Sequence, residues 1–181
     1  MSQFALKNVR LSFPDLFQPS EQFGSYGAQL IISNKADVAK IEAEMLRVAT
    51  EKWGAKAEAI LKSAKAGNKV CLKDGDAKAE YEGYAGNMVL SANNRQRPPV
   101  VNRDRTPLTE ADGVIYSGCY VNAIVKIWAQ DNSWGKRINA SLDGVQFFRD
   151  GESFSGGGVA SPDMFDDLSD GADGEDFDSL V

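Results

Sequence analysis

The chain has 181 residues, 43% of them apolar, which suffices for one hydrophobic core with an appendage or for two very small domains. It has no histidine and only two distant cysteines, Cys71 and Cys119, which argues against zinc sites and Ser-His or Cys-His nucleophiles. We expect both thiols to be buried in a reducing compartment. No run approaches the roughly 18 apolar residues of a membrane span, and the first residues lack a secretory signal. The composition therefore predicts a cytoplasmic protein without a membrane partner.

The formal net charge of −6 is distributed unevenly along the chain. Residues 1–149 contain all 20 Lys and Arg against 16 Asp and Glu, a net charge of +4. Residues 150–181 contain the other ten acids and no base. A basic body with an acidic extension is typical of nucleic-acid-binding proteins with an interaction tail. A Ser-Gly-Gly-Gly linker at 155–158 predicts a folded domain over 1–155 and a flexible acidic tail over 156–181.

The first part of the chain predicts two strands followed by two helices. Residues 4–13 predict a strand whose apolar alternation changes phase near Asn8, which indicates a β-bulge. Residues 26–33 predict a second strand after a loop rich in Pro and Gly. Ser33-Asn34 as a cap and the apolar stripe after it predict a helix, and an Ala- and Lys-rich segment predicts another at about 56–66.

Short strand-like segments dominate the rest of the chain. They are residues 69–73, 87–92, 114–116, 119–128, 137–142 and 144–149. Asp143-Gly144 lies between the last two segments and is a strong signal for a hairpin turn. Many short strands with one helical insertion predict a mainly β, α+β fold built on a closed or nearly closed antiparallel barrel.

The predicted strand 119–128 has two different faces. One face is continuously apolar and predicts core. The other face combines aromatic, polar and basic side chains, namely Tyr120, Asn122, Ile124, Lys126 and Trp128. Single-strand binders need this combination, because aromatic rings stack on bases and cations contact phosphates. A second core or a homodimer contact is the alternative for Tyr120 and Trp128.

Two further segments contain candidate nucleic-acid contacts. The loop after this strand carries Trp134, Lys136 and Arg137, and its polar, Gly-containing surroundings make Trp134 a candidate stacking residue. The alternative is a lid that caps the barrel end. The segment 95–105 contributes four arginines: Arg95, Arg97, Arg103 and Arg105. Clustered at a barrel rim they would form a cationic groove for phosphates, whereas the alternative is a solvated loop face.

Recognised catalytic motifs are missing from the sequence. There is neither a GxxxxGK[ST] motif nor a dinucleotide-binding fingerprint, so we expect no catalytic residue, cofactor or metal. A magnesium-dependent nuclease is the alternative from another class, with Asp74, Asp76, Glu80 or Asp104 holding the cation. The spacing in DGDAKAE does not match a calcium-binding loop and favours a turn.

The tail ends in acidic residues interrupted by apolar ones. Its candidate partner-binding residues are Asp176, Phe177, Asp178, Leu180 and Val181. The charges favour an extended chain, and the apolar tip with a terminal carboxylate is a short ligand for a partner pocket. The acids are also expected to compete with DNA for the basic body, because the two carry opposite charge. A merely solubilising tail is the alternative.

Six segments between residues 4 and 154 carry a resemblance to a known family. They are FALKNVRLSFPDLF, YGAQLIISNKAD, KWGAK, GYAGNMVLSANNRQRPPVVN, YSGCYVNAIVKIWAQDN and GKRINASLDGVQF. In this order and spacing they resemble a family of phage single-stranded DNA-binding proteins that was long catalogued as a domain of unknown function. The resemblance implies an OB-fold-like antiparallel β-barrel that binds single-stranded DNA without sequence preference in phage DNA replication or recombination.

The resemblance also implies a place of action and a set of partners. A phage-encoded protein of this family would act in the host cell cytoplasm. The tail is similar to those of bacterial and phage single-strand binding proteins, which recruit replication or recombination proteins. Bacterial tails usually end in Pro-Phe, whereas this chain ends in Asp-Ser-Leu-Val. The remaining alternatives are a recombination annealing protein that forms rings or filaments, and a virion-type structural protein without DNA affinity.

Overall fold

The computed structural model describes residues 3–154 and 165–169. The strands are β1 (Phe4–Asp15), β2 (Tyr26–Ile32), β3 (Leu72–Asp74), β4 (Met88–Asn94), β5 (Val100–Val101), β6 (Tyr120–Asn132) and β7 (Gly135–Arg149). The helices are α1 (Lys35–Trp53) and α2 (Ala57–Ala66), joined by a 3₁₀ turn at Gly54–Lys56. The expected boundary at 155/156 and the tail residues Asp176, Phe177, Asp178, Leu180 and Val181 lie outside the described residues.

Five of these strands close into a barrel. Antiparallel pairing runs in the order β4, β2, β1, β6, β7, and a parallel contact between Asn93 of β4 and Ser141 of β7 closes the ring. The third barrel strand therefore meets the fifth, and the result is the five-stranded barrel of the OB-fold. The prediction of a mainly β fold with a helical insertion is confirmed, since α1 and α2 lie between β2 and β3.

Alternation along the strands fills the barrel interior. On β6 the inward residues are Val121, Ala123, Val125 and Ile127, all fully buried. α1 begins at the predicted cap Asn34, whose side-chain oxygen accepts a 2.8 Å hydrogen bond from the Ala36 N–H. Its buried residues Ile41 and Met45 join the barrel core. The face of β6 that the sequence assigns to the core is thus the inner face.

The bulge predicted in the first strand is present at Asn8. Pairing of β1 with β6 shifts register between Leu6, which faces Ala123, and Val9, which faces Val121. Asn8 absorbs the extra residue in a left-handed conformation with φ 55°, a region in which Asn is more common than most residues.

The predicted hairpin turn at Asp143-Gly144 is wrong. Both residues lie inside the continuous strand β7, where Leu142 faces Val125 and Gly144 faces Ile124. Asp143 is therefore the extra residue of a bulge, and its carboxylate accepts a hydrogen bond from Asn94 Nδ2 at 3.3 Å. The true turn is the two-residue link 133–134 at the end of β6, closed by Gly135 with φ 107°.

Three smaller expectations also need correction. Residues 114–116 form no strand, and their apolar side chains pack on the core from an irregular segment. The segment expected as a strand at 69–73 pairs as β3 only from Leu72, after an isolated bridge between Val70 and Ile138. The Arg- and Pro-rich segment contains the short strand β5, which runs parallel to β7.

Both thiols are buried, as predicted. Burial raises the pKa of Cys71 to about 12 and also raises the pKa of Cys119 above its usual range. Both therefore stay protonated at neutral pH and are poor nucleophiles. None of the described helices is both long and apolar enough to cross a bilayer.

Candidate nucleic-acid interface

A groove of about 300 Å³ lies on the outside of the barrel where β3, β4 and β7 meet. Its lining includes the ring of Trp128, three cations and two carboxamides, namely Lys69, Lys73, Arg137, Asn93 and Asn139. We call this set the Trp128 groove. It combines an aromatic surface with basic side chains, the two requirements for holding a single strand.

Strand pairing accounts for the position of these side chains. Trp128 on β6 lies directly opposite Asn139 on β7, and the outward row of β7 continues to Arg137. Asn93 enters from β4 through the pairing with Ser141 that closes the barrel. The groove therefore exists only because the barrel is closed.

The cations of the groove are not neutralised by neighbouring carboxylates. Among the described residues, ion pairs within 4.0 Å join Arg47 to Glu44 and Glu51, and Lys136 to Asp131. None of these pairs involves a groove cation. Burial lowers the pKa of Lys73, and the nearby Lys78 and Arg137 lower it further. The groove is thus a site of concentrated positive charge to which a phosphate can bind.

A second depression continues the groove along β6. It has a volume of about 390 Å³ and is lined by Asn94, Arg97, Lys126 and Ser141, among others. Lys126 lies two residues from Trp128 on the same outer face, and Ser141 lies opposite it. Arg97 lies over the ring of Phe17, with 5.6 Å between the guanidinium carbon and the ring centroid.

Trp134 lies at the tip of the hairpin, at the other end of the groove. Its side chain is 82% exposed. Lys69 connects the tip with the groove, since its Nζ lies 3.5 Å from the position that a Cβ on Gly135 would take. Lys136 is on the same hairpin and contacts Asp131 at 3.9 Å. Of the residues selected from the sequence, Trp128, Lys126, Arg137 and Arg97 line this surface, and Trp134 and Lys136 extend it.

The other sequence candidates lie elsewhere. Tyr120 is eight residues from Trp128 along β6, roughly 27 Å at strand spacing. One face of its ring is covered by Arg149, whose guanidinium carbon is 3.7 Å from the ring centroid. Arg103 lies near Phe148 at this same far end, and Arg105 is exposed in the adjacent turn with φ 70°. Arg95 is exposed and lines neither depression.

Four groove residues were missed in the sequence. Lys69 lies just before the short strand β3, and Lys73 lies within it. The neighbours of this strand are set by long-range pairing, so no local pattern places either lysine beside Trp128. Asn93 also reaches the groove only through barrel closure. Asn139 could have been found, because Arg137, Asn139 and Ser141 alternate with buried residues on the predicted strand 137–142.

Three of the four carboxylates considered for magnesium accept hydrogen bonds in turns, and the fourth, that of Glu80, is exposed. Asp74 Oδ1 accepts a hydrogen bond from the Asp76 N–H at 2.9 Å, and Asp76 Oδ1 accepts one from the Gly86 N–H at 2.7 Å. Asp104 lies in a different turn, where hydrogen bonds from Thr106 lower the pKa of its carboxyl group. Within 3–154 and 165–169, no three His, Cys, Asp or Glu side chains form a metal-binding group.

The third tryptophan has a structural role. Trp53 closes α1, and its indole Nε1–H donates a 2.8 Å hydrogen bond to Asp131 Oδ2 on β6. This bond fastens the end of the helix to the β6–β7 hairpin. Trp53 thus differs from Trp128 and Trp134, which have no such bond among the described residues.

Comparisons with known proteins point to one kind of protein. The family model described as "Enterobacter phage Enc34, ssDNA-binding protein" matches residues 2–177. Protein p50 of Acyrthosiphon pisum secondary endosymbiont phage 1 is 52% identical over 172 residues, covering 91% of this chain and 92% of that protein.

Solved structures agree with the family match. The single-stranded DNA-binding protein from bacteriophage Enc34 is 31% identical with a TM-score of 0.64, covering 91% of this chain and 90% of that chain. A structure of the Enc34 protein in complex with ssDNA is 29% identical with a TM-score of 0.66, covering 84% of this chain and 89% of that chain. The chain therefore belongs to the Enc34 single-stranded DNA-binding protein family of phages.

Proposed function

We propose that this chain binds single-stranded DNA without sequence preference, with a base stacked on Trp128 and phosphates held by Lys69, Lys73 and Arg137. The observation that carries the proposal is the Trp128 ring in a groove with three cations that have no carboxylate partner among the described residues. The structure of the Enc34 protein with ssDNA supports it, because that protein is similar over 84% of this chain.

The chemistry of the groove favours single strands of any sequence. Every base has an aromatic face, so stacking on an indole does not depend on base identity. A duplex keeps its bases stacked on one another and cannot present a face to Trp128. The second depression, which is lined by Lys126 and Arg97, extends the contact along the DNA strand. The hairpin tip with Trp134 and Lys136 extends it at the other end of the groove.

The biological role that fits this activity is coating of single-stranded DNA during phage DNA replication or recombination, without catalysis. The acidic tail, 156–181, would recruit replication or recombination proteins through Phe177, Leu180 and Val181 with their neighbouring acids. The ten acids of residues 150–181 against a body of charge +4 also favour competition between tail and DNA for the groove.

Replacing Trp128 tests the groove. Trp128→Ala is expected to weaken binding to oligo-dT by about 1–3 kcal/mol, the usual contribution of one stacked base. This corresponds to about 5- to 150-fold in Kd. Phe23→Ala, which removes an exposed aromatic side chain that lines neither depression, is the matched control and should bind as the unaltered chain does. Fluorescence anisotropy gives the affinities, and circular dichroism checks the fold. Equal affinity of Trp128→Ala and the unaltered chain would contradict the proposal.

Removing the tail tests the competition. Deletion of residues 160–181 is expected to tighten oligo-dT binding at low salt, because the competing acids are lost, and the gain should shrink as salt rises. A second variant keeps Phe177, Leu180 and Val181 but carries Asn and Gln in place of the tail acids. It should match the deletion in DNA affinity if charge alone causes competition. Unchanged affinity of both variants at low salt would exclude it.

A further inference from the structure

The outer row of β6 that contains Trp128 has a second cationic cluster at its opposite end. We call it the distal patch, formed by Arg103, Phe148, Arg149 and Tyr120. The guanidinium carbon of Arg149 lies 3.7 Å from the centroid of the Tyr120 ring, and that of Arg103 lies 6.0 Å from the Phe148 ring. Both arginines are exposed. Of the two, Arg149 is in close contact with its ring, and an arginine beside an aromatic ring can hold a base on its open face and phosphate oxygens at its edge.

Neutral hydrogen bonds hold the distal patch in place. The bulge residue Asn8 accepts a 3.3 Å hydrogen bond from Arg149 Nε, and its own N–H donates to Asn122 Oδ1 at 3.0 Å. Gln146 donates from Nε2 to the carbonyl oxygen of Arg103 at 3.2 Å, which ties the 102–105 turn to β7. These contacts orient the Arg149 side chain, hold the backbone of the 102–105 turn against β7, and leave both positive charges in place.

No carboxylate neutralises the patch within the described part of the chain. Neither guanidinium group has a carboxylate oxygen within 4.0 Å. The nearby acids are engaged with hydroxyl groups, Asp150 with Tyr116 at 2.9 Å and Asp104 with Thr106 at 2.6 Å. Arg10 adds a third positive charge, 5.5 Å from the Tyr120 ring. Two guanidinium groups beside one ring, with Arg103 at the same end of the barrel, favour a polyanionic ligand.

We propose that the distal patch is a second contact for the same single-stranded DNA, which runs along the outer face of β6 from the Trp128 groove. The inference rests on the proposed function of the groove. The two contacts are roughly 27 Å apart, so only an oligonucleotide long enough to span them uses both. Arg103 and Arg149 bind the DNA strand, and Tyr120 is a positioning residue whose ring holds the Arg149 guanidinium in place.

Length-dependent binding tests this inference. The double variant Arg103→Gln/Arg149→Gln is titrated with oligo-dT of about 4 to 16 nucleotides, the range of site sizes on single OB-folds. We expect less than about twofold change for the shortest oligonucleotides and at least about tenfold weaker binding of the longest. The magnitude of the slope of log K against log salt should decrease by about 0.7 per lost phosphate contact, and only for the long oligonucleotides. The double variant Arg47→Gln/Lys62→Gln, which removes two positive charges from α1 and α2, should leave the length dependence unchanged.

Variants of Tyr120 test its positioning role through their affinity for long oligonucleotides. Tyr120→Leu removes the ring under Arg149 and should weaken binding of long oligonucleotides as much as Arg149→Gln does, whereas Tyr120→Phe keeps the ring and should behave as the unaltered chain does.

Equal losses at every length, or no loss at any length in the double variant, would overturn the second contact. If Trp128→Ala weakens short oligonucleotides in the same series, the groove stands even when the distal patch fails. Failure of the unaltered chain to bind any oligonucleotide would overturn both.

Discussion

The ammonium group of Lys73 lies where its surroundings disfavour a positive charge. Burial lowers its pKa most, and the neighbouring Lys78 and Arg137 lower it further. A phosphate bound in the groove would favour the charged form, because it brings a negative charge close to the ammonium group. The groove therefore contains a cation whose charge state depends on both pH and ligand.

This position predicts a pH dependence of DNA binding. The pKa of Lys73 is lowered, so the charged form that holds phosphate is present below this pKa and is lost as pH rises through it. Oligo-dT affinity should fall before the pH reaches the usual lysine value of about 10.4. Lys73→Arg keeps its charge throughout and should move the fall to higher pH. Lys62→Arg, on the exposed side of α2, should leave the profile unchanged. Identical profiles for the unaltered chain and Lys73→Arg would refute this role.

Some residues of the candidate site can be selected from the sequence alone, and others cannot. Alternation on β6 suffices to select Trp128 and Lys126, since every second side chain of a half-buried strand faces outward. Lys69 and Lys73 could not be selected, because they approach Trp128 through pairings between distant segments. The local sequence pattern therefore identifies which face of a strand is exposed. Closure of the barrel determines which side chains from other strands lie beside that face.

At the scale of elements, the β6–β7 hairpin shows how turn signals compete. Asp143-Gly144 has strong turn chemistry, yet both strands continue past it, and the bulge accommodates the extra residue. The turn at Ser133-Trp134 has a weaker signal, and Gly135 with φ 107° completes it. A long register of cross-strand pairs outweighs the preference of two residues.

Helices were easier to place than the last strands. Asn34 caps α1 through its own side chain, and Gly54 ends it with φ 60°, so both ends are encoded locally. The two residues of β5 are a strand only because β7 lies beside them. Elements defined by neighbours distant in the chain have no comparable local signal.

For the molecule as a whole, an acidic isoelectric point and DNA binding are compatible because the charges are separated. The 20 basic residues all lie in the first 149 positions, whereas the last 32 positions hold ten acids and no base. A barrel of net charge +4 with a concentrated cationic groove can bind a phosphate backbone even though the chain carries −6 in total.

The most direct test of the account compares oligo-dT with a duplex of the same length in one salt series, followed by tryptophan fluorescence. We expect tighter binding of the single strand at every salt concentration, quenching of fluorescence that is smaller in Trp128→Ala, and affinity that falls linearly in log K against log salt. Equal affinity for single- and double-stranded DNA under the same salt would contradict the central claim that the Trp128 groove recognises single strands.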